Sequence, residues 1–516
     1  MAFVLIGFMG AGKSTVAAEL AAALGASALD SDALLERELG HPIAREFELG
    51  GEESFRAAEE ELVCRLLRDA GESDVIALGG GSVLSERARA ALRDHVTILL
   101  DVDAATAWER VADGSGGRPL AGDQASFLAL HGQRRELYAD LADAVLADLP
   151  PGGAGAALAS LRSLVRAPRG TRLLWASASS GAYPVLIGAG LLGREAQRGS
   201  EPWWPLDRSR SRPFCVSDQT ALSLYGDRLG ELAASIAIEP GEQHKTLASA
   251  ERVWRALLEA GMTRADHVVA LGGGVVGDLA GFCAATYQRG VPVLHVPTTL
   301  VAQVDSAYGG KTGVDLPAAK NYVGAYHQPA AVIVDPELLA SLPAAELAAG
   351  WVEVLKTALI AGGALWRHIE AGGEIDEDTI LACARTKLAI VAADERDDGR
   401  RQVLNLGHTV GHAIETVTGY SRYRHGEAVG LGLLAALRLS GRDELRGRVR
   451  ELLTEHDLPV TAPSLEVEAV LKAISRDKKR LAGGVPFVLV DAPGEVRHGC
   501  EVGPADLRAA VEELAA

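Results

Sequence analysis

Apolar and polar positions alternate in blocks along the first 148 residues, in a way that predicts repeated strand, loop and helix. Short apolar runs at residues 4–8, 74–80 and 95–103 are bounded by glycine or aspartate, as is typical of buried parallel strands. Alanine- and glutamate-rich stretches between them, such as residues 51–70, predict helices. We therefore expect this part of the chain to form a parallel α/β/α domain.

Two breaks rich in proline and glycine, at residues 149–155 and 167–170, separate this segment from the rest of the chain. Strand-like runs then resume, for example at residues 266–274, and predict a Rossmann-like nucleotide-binding α/β domain. The final third reads as mostly helical, with one strand-like run at residues 485–491. The predicted domains are residues 1–165, 171–335 and 336–516.

Composition limits the kinds of protein that this chain can be. The formal net charge of −18 disfavours nucleic acid or an anionic membrane as a partner. No run of about twenty apolar residues predicts a membrane-spanning helix, and the apolar N-terminus lacks the basic region of a signal peptide. Five cysteines without close spacing fit a reducing compartment, so we expect a cytoplasmic protein. The insertion at residues 195–213 suggests no function.

Lysine is scarce in this chain. Only nine of the 51 basic residues are lysine, so arginine serves wherever a solvated positive charge is sufficient. A remaining lysine is therefore expected more often where a compact ammonium group is needed. Eight of the nine lysines fall inside the motifs described below, and Lys472 is the exception.

A phosphate-binding motif opens the chain. Residues 7–15, GFMGAGKST, fit the pattern GxxxxGK[ST] and directly follow the first predicted strand. Glycines allow backbone N–H groups to surround phosphates, and the next helix directs its positive end toward them. Lys13 is expected to bridge the β- and γ-phosphates of ATP, and the Ser14 hydroxyl to bind Mg²⁺. The predicted nucleotide-binding residues are Gly10, Gly12, Lys13, Ser14 and Thr15.

Candidate groups for the phosphate acceptor follow near the ends of the next strands. Asp30 and Asp32 end one strand, which predicts one carboxylate near the metal and one near the acceptor. Arg56 and Arg134 are suited to grip a carboxylate, because paired arginines bind this group in a bidentate way.

This ordered set resembles shikimate kinase over essentially all of residues 1–148, and so implies a P-loop kinase with ATP and Mg²⁺. The resemblance places Asp30 at Mg²⁺ and makes Asp32 the base toward the acceptor hydroxyl. It places Arg56, Gly80 and Arg134 at shikimate, and Arg118 in a lid that reaches the transferred phosphate.

The second half contains a weaker dinucleotide motif among many polar residues. Residues 271–278, LGGGVVGD, follow a predicted strand but do not fit GxGxxG. Upstream, Glu242 and Lys245 are suited to hold a ribose. Downstream, residues 297–321 concentrate glycine, threonine, lysine and aspartate, which indicates a site for phosphate and hydroxyl groups.

A candidate metal site lies in the predicted helical domain. Glu353 and Lys356 are spaced i, i+3 and so share a helix face. His408 and His412 are spaced i, i+4, and His425 follows. Two imidazoles and one carboxylate suit a catalytic divalent metal, most often zinc, with positions left open for substrate. The spacing alone does not decide which two of the three histidines bind.

In order and spacing these motifs are similar to 3-dehydroquinate synthase over roughly residues 180–490. The resemblance implies NAD, a divalent metal (Zn²⁺ or Co²⁺) and a homodimer. The implied metal ligands are Glu353, His408 and His425, and the implied catalytic residues are Lys311, Asn321, Lys356 and His412. The implied NAD-binding residues are Glu242, Lys245, Gly274, Gly277, Asp278, Thr298, Thr299 and Lys320. The implied substrate-binding residues are Arg289, Asp305, Lys311, Lys387 and Arg401, with Lys478 or Lys479.

Together the two resemblances imply 3-phosphorylation of shikimate, and conversion of 3-deoxy-arabino-heptulosonate 7-phosphate to 3-dehydroquinate and phosphate. The chain departs from the synthase pattern most clearly at Tyr308, where the resemblance leads us to expect valine. Alternatives for the second half are a metal-dependent polyol dehydrogenase and another sugar-phosphate cyclase. A further alternative is that one half only binds ligands, although the expected catalytic groups are present in both.

Overall fold

The computed structural model describes residues 1–113, 123–147, 149, 152–193, 203–317, 319–478 and 486–516. The predicted roles of Arg118 and Lys479, the side chain of Lys478 and part of the 195–213 insertion lie outside the described residues. The chain divides into two compact units. The first contains residues 1–177, 184–186 and the described part of 199–205, and the second contains residues 178–183, 187–198 and 206–516.

The first unit is built on a parallel sheet whose strands coincide with the predicted apolar runs. The strand order is β2–β3–β1–β4–β5–β6, and every described pairing among these strands is parallel. The strands are β1 (Phe3–Ile6), β2 (Ala28–Asp30), β3 (Val75–Ala77), β4 (Val96–Asp101), β5 (Ala144–Ala147) and β6 (Arg172–Ala178). The helices are α1 (Lys13–Leu24), α2 (Ser31–Leu39), α3 (Ile43–Asp69), α4 (Glu86–Leu92), α5 (Ala104–Asp113), α6 (Gln124–Leu141) and α7 (Ala154–Arg166).

The loops of this unit place its polar residues at one end of the sheet, beyond the carboxyl ends of the strands. Because β1, β2 and β3 are parallel neighbours, their carboxyl ends meet there, and loops after such ends commonly form ligand sites. The strand centres are fully buried, as at Val4, Leu5 and Ile76. Helix α3 is interrupted at Gly51, whose φ of 74° breaks the helical path and separates a short first part from the part that carries Arg56.

The nucleotide-binding part of the second unit is built on parallel strands in the order β14–β11–β10–β8–β9. Together with the strands of the first unit and the helical region, they confirm the predicted α/β fold class. The strands that follow β6 are β7 (Gly181–Ile187), β8 (Pro213–Asp218), β9 (Ala234–Ile238), β10 (His267–Gly272), β11 (Val293–Pro297), β12 (Lys311–Leu316), β13 (Ala319–Tyr326) and β14 (Ala331–Val334). The helices here are α8 (Gln219–Tyr225), α9 (Leu247–Glu259) and α10 (Gly274–Thr286), and β12 and β13 form an antiparallel hairpin.

The remainder of the second unit is mostly helical. Its helices are α11 (Ala344–Ala361), α12 (Gly363–Glu370), α13 (Glu377–Ala393), α14 (His408–Val417), α15 (His425–Leu439), α16 (Asp443–Glu455), α17 (Val467–Lys478) and α18 (Pro504–Ala515). The predicted strand near 485 is β15 (Phe487–Ala492), which pairs with β16 (Glu495–Cys500). None of the helices that the structure describes is long and apolar enough to cross a membrane.

Two glycines of α15 allow three helical segments to approach closely. A Cβ atom on Gly426 would lie 1.8 Å from the carbonyl oxygen of Ala349 in α11, and one on Gly432 would lie 1.9 Å from that of Gly407, which precedes α14. Any larger residue at these positions would collide with backbone. This close packing brings the first residue of α15, the first residue of α14 and the middle of α11 together.

Candidate active sites

The phosphate loop of the first unit connects β1 to α1. Gly10 and Gly12 have φ values of 83° and 88°, which glycine adopts without strain. A Cβ atom on Gly10 would also lie 2.4 Å from the carbonyl oxygen of Ala107. The Lys13 ammonium donates to the carbonyl oxygens of Gly7 (2.9 Å) and Phe8 (3.1 Å), so it lies across the loop.

Two oxygen ligands suited to Mg²⁺ lie beside this loop. The Ser14 hydroxyl donates to Asp30 Oδ2 at 2.5 Å, and Asp30 Oδ1 accepts from the N–H of Ala33 and so caps α2. Hydroxyl and carboxylate oxygens are the hard ligands that Mg²⁺ prefers. Asp32 lies in the first turn of α2, with Oδ1 2.4 Å from the point that a Cβ atom of Gly79 would occupy. Thr15 is exposed in the first turn of α1.

The predicted carboxylate clamp lies near the turn that follows β3. Arg56 donates to Glu59 Oε2 at 2.6 Å. Arg134 is buried on α6, and Tyr138 one turn later donates to the carbonyl oxygen of Gly80 at 2.5 Å. Burial raises the pKa of Tyr138 above its ordinary value, and the nearby Arg134 and Arg56 offset only part of this rise. The structure therefore brings Arg56, Gly80 and Arg134 into one neighbourhood.

Sequence reasoning missed Glu59 in this site. Glu59 is buried and accepts hydrogen bonds from both Arg56 and the Ser82 hydroxyl, at 2.6 and 2.7 Å. Its position three residues after Arg56 on a predicted helix would have indicated the contact.

In the second unit, Lys245 is the centre of a buried polar group. Its ammonium lies 2.7 Å from Glu242, 3.2 Å from Asp278 and 2.6 Å from Asn321 Oδ1. Burial opposes the charge, but the carboxylates of Asp278 and Glu242 raise the pKa of Lys245 overall. Lys320 lies 3.2 Å from Glu242 and so joins the same group. Asn321, with φ of 52°, is held here through its N–H, which donates to Asp315 at 2.6 Å.

The glycine motif of the second half starts α10 at the carboxyl end of β10. Gly274 is the first residue of α10, and Gly273 lies against Thr299, where an added Cβ atom would approach the methyl group to 2.9 Å. Gly277 follows one turn later, and Thr298 is buried after β11. A partly exposed helix N-terminus lined by small residues suits a pyrophosphate.

Asp305 connects two of the predicted lysines. It lies in a π-helical turn, Ala302–Ser306, where it accepts from Lys356 at 3.0 Å and is in contact with the Lys387 ammonium. The Lys356 ammonium also lies 2.6 Å from Glu353 Oε2. Burial opposes the charge of Lys356, yet Asp305 and Glu353 hold its pKa above its ordinary value.

Glu353, His408 and His425 form a set of three possible metal donors. Glu353 is fully buried, and its Oε1 lies 3.7 Å from His408 Nε2 and 3.5 Å from His425 Nε2. Neither carboxylate oxygen accepts a well-formed hydrogen bond from the described residues. Burial opposes the charge of Glu353, but Lys356 and the two imidazoles hold its pKa well below its ordinary value. One carboxylate and two imidazole nitrogens within 4.8 Å of one another fit a divalent metal.

Three other predicted residues differ in their exposure and in their partners. His412 is exposed on α14, with its ring 5.1 Å from that of His408. Lys311 is half-exposed and paired with Asp397. The Arg401 guanidinium is buried, and it donates to the carbonyl oxygens of Glu395 and Gly309 at 2.6 and 2.9 Å.

Arg289 lies at the opposite end of α10 from the predicted NAD-binding residue Gly274. It is exposed beyond the carboxyl end of α10, whereas the predicted NAD-binding glycine Gly274 begins that helix. At 1.5 Å per residue, this helix places the two ends roughly 18 Å apart. Its substrate role stays a prediction.

Sequence reasoning also missed three carboxylates in the second unit. They are Asp315, which holds Asn321, Asp397, which pairs with Lys311, and Glu415, which contacts His425 at 3.3 Å. Glu415 lies three residues after His412 and seven after His408, a spacing that places it on the same face of a helix.

Comparison with known proteins gives matches for both halves. Residues 9–150 match the shikimate kinase family, residues 235–349 the N-terminal region of 3-dehydroquinate synthase, and residues 350–480 its C-terminal region. The 3-dehydroquinate synthase of Symbiobacterium thermophilum is 42% identical over 356 residues, covering 64% of this chain and 98% of that protein.

Two solved structures resemble the second half. One is 2-epi-5-epi-valiolone synthase from Streptomyces hygroscopicus subsp. jinggangensis with NAD⁺ and Zn²⁺ bound (TM-score 0.58, 26% identity, 64% of this chain and 96% of that one). The other is 2-deoxy-scyllo-inosose synthase with carbaglucose-6-phosphate, NAD⁺ and Co²⁺ (TM-score 0.58, 22% identity, 66% and 99%), which is a likeness of fold alone.

Proposed function

The chain belongs to the 3-dehydroquinate synthase family and carries a shikimate kinase before it, and from this premise we propose how its residues perform the two reactions. It is a bifunctional shikimate-pathway enzyme. The kinase reaction is ATP-dependent 3-phosphorylation of shikimate. The synthase reaction converts 3-deoxy-arabino-heptulosonate 7-phosphate to 3-dehydroquinate and phosphate, with NAD and a divalent metal.

In the kinase, the residues of the first unit orient the two substrates. Gly10, Gly12 and Lys13 hold the phosphates of ATP, and Ser14 and Asp30 hold Mg²⁺. Arg56 and Arg134 grip the shikimate carboxylate, and Asp32 accepts the proton of the attacking hydroxyl. Glu59 fixes the direction of the Arg56 guanidinium through the 2.6 Å contact between them.

In the synthase, Glu353, His408 and His425 would hold a divalent metal, which would supply Lewis acidity toward the oxygen that is oxidised, and bound NAD would supply a reversible hydride acceptor. Glu242, Lys245, Asp278 and Lys320 bind and orient the dinucleotide. Lys356 and Lys387 are held on Asp305 and present positive charge to the substrate's anionic groups. His412, exposed beside the metal ligands, is placed to move a proton.

The observation that best supports the synthase proposal is the buried Glu353 carboxylate facing two imidazoles and Lys356. A polyol dehydrogenase needs a metal and NAD, but it has no use for lysines that face phosphate and carboxylate. The second candidate is another sugar-phosphate cyclase, which the likeness to 2-epi-5-epi-valiolone synthase favours. Such a cyclase would act on a sugar phosphate without the carboxylate.

Two single variants of the full chain test both halves. Lys13→Met should reduce ADP formation with shikimate by at least about 100-fold and leave phosphate release from the heptulosonate phosphate unchanged. Glu353→Ala should reduce phosphate release from the heptulosonate phosphate by at least about 100-fold and leave ADP formation with shikimate unchanged. Lys472→Met, which removes an exposed lysine outside the motifs, is the matched control.

Three outcomes would contradict the proposal. Net accumulation of NADH at 340 nm would indicate a dehydrogenase. Turnover only of a heptulose phosphate that lacks the carboxylate would indicate another cyclase. Loss of phosphate release in Lys13→Met would show that the two sites are not independent.

We also propose that the protein is a cytoplasmic homodimer that joins through its synthase half and acts on small molecules, without nucleic acid or membrane partners. The homodimer follows from the resemblance to 3-dehydroquinate synthase, and the compartment from the five dispersed cysteines. Sedimentation velocity of the full chain should give twice the 53.9 kDa chain mass. A monomer at micromolar concentration would contradict it.

A further inference from the structure

Glu415 lies between the metal ligands and the dinucleotide site. It is buried on α14, and its Oε1 is 3.3 Å from His425 Nδ1 and 3.4 Å from the Lys320 ammonium. Its Oε2 is buried with no hydrogen-bond partner among the described residues. None of the roles assigned above uses this carboxylate.

On the side of Glu415 that faces the proposed metal ligands, His408 and His425 have similar surroundings. His408 and His425 both direct Nε2 toward Glu353, and the Nδ1 of each faces an oxygen: the carbonyl of Leu406 at 3.2 Å and the carboxylate of Glu415 at 3.3 Å. An imidazole that donates through Nδ1 keeps the lone pair of Nε2 directed at the metal. Glu415 therefore fixes the tautomer and the ring orientation of His425.

At the other end, Glu415 holds a lysine of the dinucleotide site. Lys320 bridges Glu415 and Glu242, and Glu242 in turn contacts Lys245 at 2.7 Å. The Lys320 ammonium also lies 5.5 Å from the ring centre of Tyr420, whose N–H donates to the carbonyl oxygen of Glu415. One carboxylate thus orients a metal ligand and a cation of the NAD site.

We propose that Glu415 is a positioning residue that couples metal binding to NAD binding, an inference that rests on the function proposed above. A metal at Glu353, His408 and His425 fixes the His425 ring, which fixes Glu415, and Glu415 then holds Lys320 in place for NAD. Once the first ligand has ordered these side chains, the second ligand binds at a lower entropic cost. The coupling is reciprocal, so NAD also tightens the metal.

Zinc affinity of the metal-stripped full chain, measured by competition with a chromogenic chelator, tests this coupling without relying on turnover. The zinc Kd is determined without NAD and at saturating NAD. For the unaltered chain we expect NAD to lower the zinc Kd by about fivefold or more. Glu415→Gln should raise the zinc Kd by about 10- to 100-fold, and NAD should then change it by less than about twofold.

Glu346→Gln is the matched control, because it removes an equally charged but half-exposed carboxylate that pairs with Arg424, beside His425. It should leave both the zinc Kd and the NAD effect unchanged. Lys320→Met tests the link from its other end without altering a metal donor: zinc affinity without NAD should persist, and the NAD effect should disappear. This variant also decides the question if Glu415→Gln does not fold.

Unchanged zinc affinity in Glu415→Gln, or an intact NAD effect in both Glu415→Gln and Lys320→Met, would overturn the role of Glu415. Failure of the unaltered chain to bind zinc or NAD would instead overturn the proposed function. The two failures are therefore distinguishable.

Discussion

Replacing Gly426 by alanine should separate the metal ligands. A Cβ atom there would lie 1.8 Å from the carbonyl oxygen of Ala349, whereas real Cβ atoms stay beyond 3.0 Å. Because the obstacle is backbone, α15 and α11 must move apart by about 1.2 Å. Helix α11 carries Glu353 and α15 begins with His425, so the movement falls directly on two ligands of one metal. Metal–ligand distances tolerate about 0.2 Å, and a displacement of 1 Å costs roughly 100-fold in rate.

Gly426→Ala should therefore lower zinc affinity by at least about tenfold and phosphate release from the heptulosonate phosphate by roughly 100-fold. Kinase activity of the same chain serves as the internal control and should not change. Gly447→Ala is the matched control, because Gly447 lies inside α16 with no atom within 4 Å of an added Cβ. It should stabilise the protein by about 0.5–1 kcal/mol and leave zinc affinity intact. If Gly426→Ala kept zinc affinity and synthase turnover within about twofold of the unaltered chain, the close helix approach would not be what sets the metal geometry.

Further changes test other parts of the structure. Tyr308→Phe removes the hydrogen bond that the buried hydroxyl donates to the carbonyl oxygen of Gln303, so urea unfolding should show a loss of about 1–2 kcal/mol; an unchanged midpoint would contradict it. Burial opposes the charge of Glu395, but hydrogen bonds from three side chains lower its pKa to about 2 from an ordinary 4.5. The unfolded chain therefore binds more protons between these values, and stability should fall as the pH falls from 4.5 toward 2. Urea midpoints of Glu395→Gln should depend less on pH there, and an equally steep dependence would refute this assignment. Gly81→Ala would place a Cβ atom 2.0 Å from the Arg56 guanidinium, so the KM for shikimate should rise several-fold while the KM for ATP stays constant; an equal rise in both would point to general distortion.

The sequence by itself determined the features whose chemistry is local. The P-loop is contiguous, and a glycine-rich turn between an apolar strand and a helix can be recognised from residues 7–15 alone. The parallel strands were predictable because a strand buried on both faces needs an uninterrupted apolar run. Lysine scarcity indicated that Lys245 and Lys356 serve specific contacts, and the structure pairs Lys245 with the partly buried Glu242 and Lys356 with the buried Glu353.

Tertiary structure decided which distant groups meet. Spacing alone favoured His412 as much as His425, because His412 shares a helix face with His408. The structure instead points the Nε2 atoms of His408 and His425 at Glu353, since glycines in α15 allow that helix to approach α11 and the start of α14. The link from Glu415 to Lys320 likewise arises from packing between segments far apart in the chain. Such contacts depend on how whole elements pack, and no local pattern of residue types encodes them.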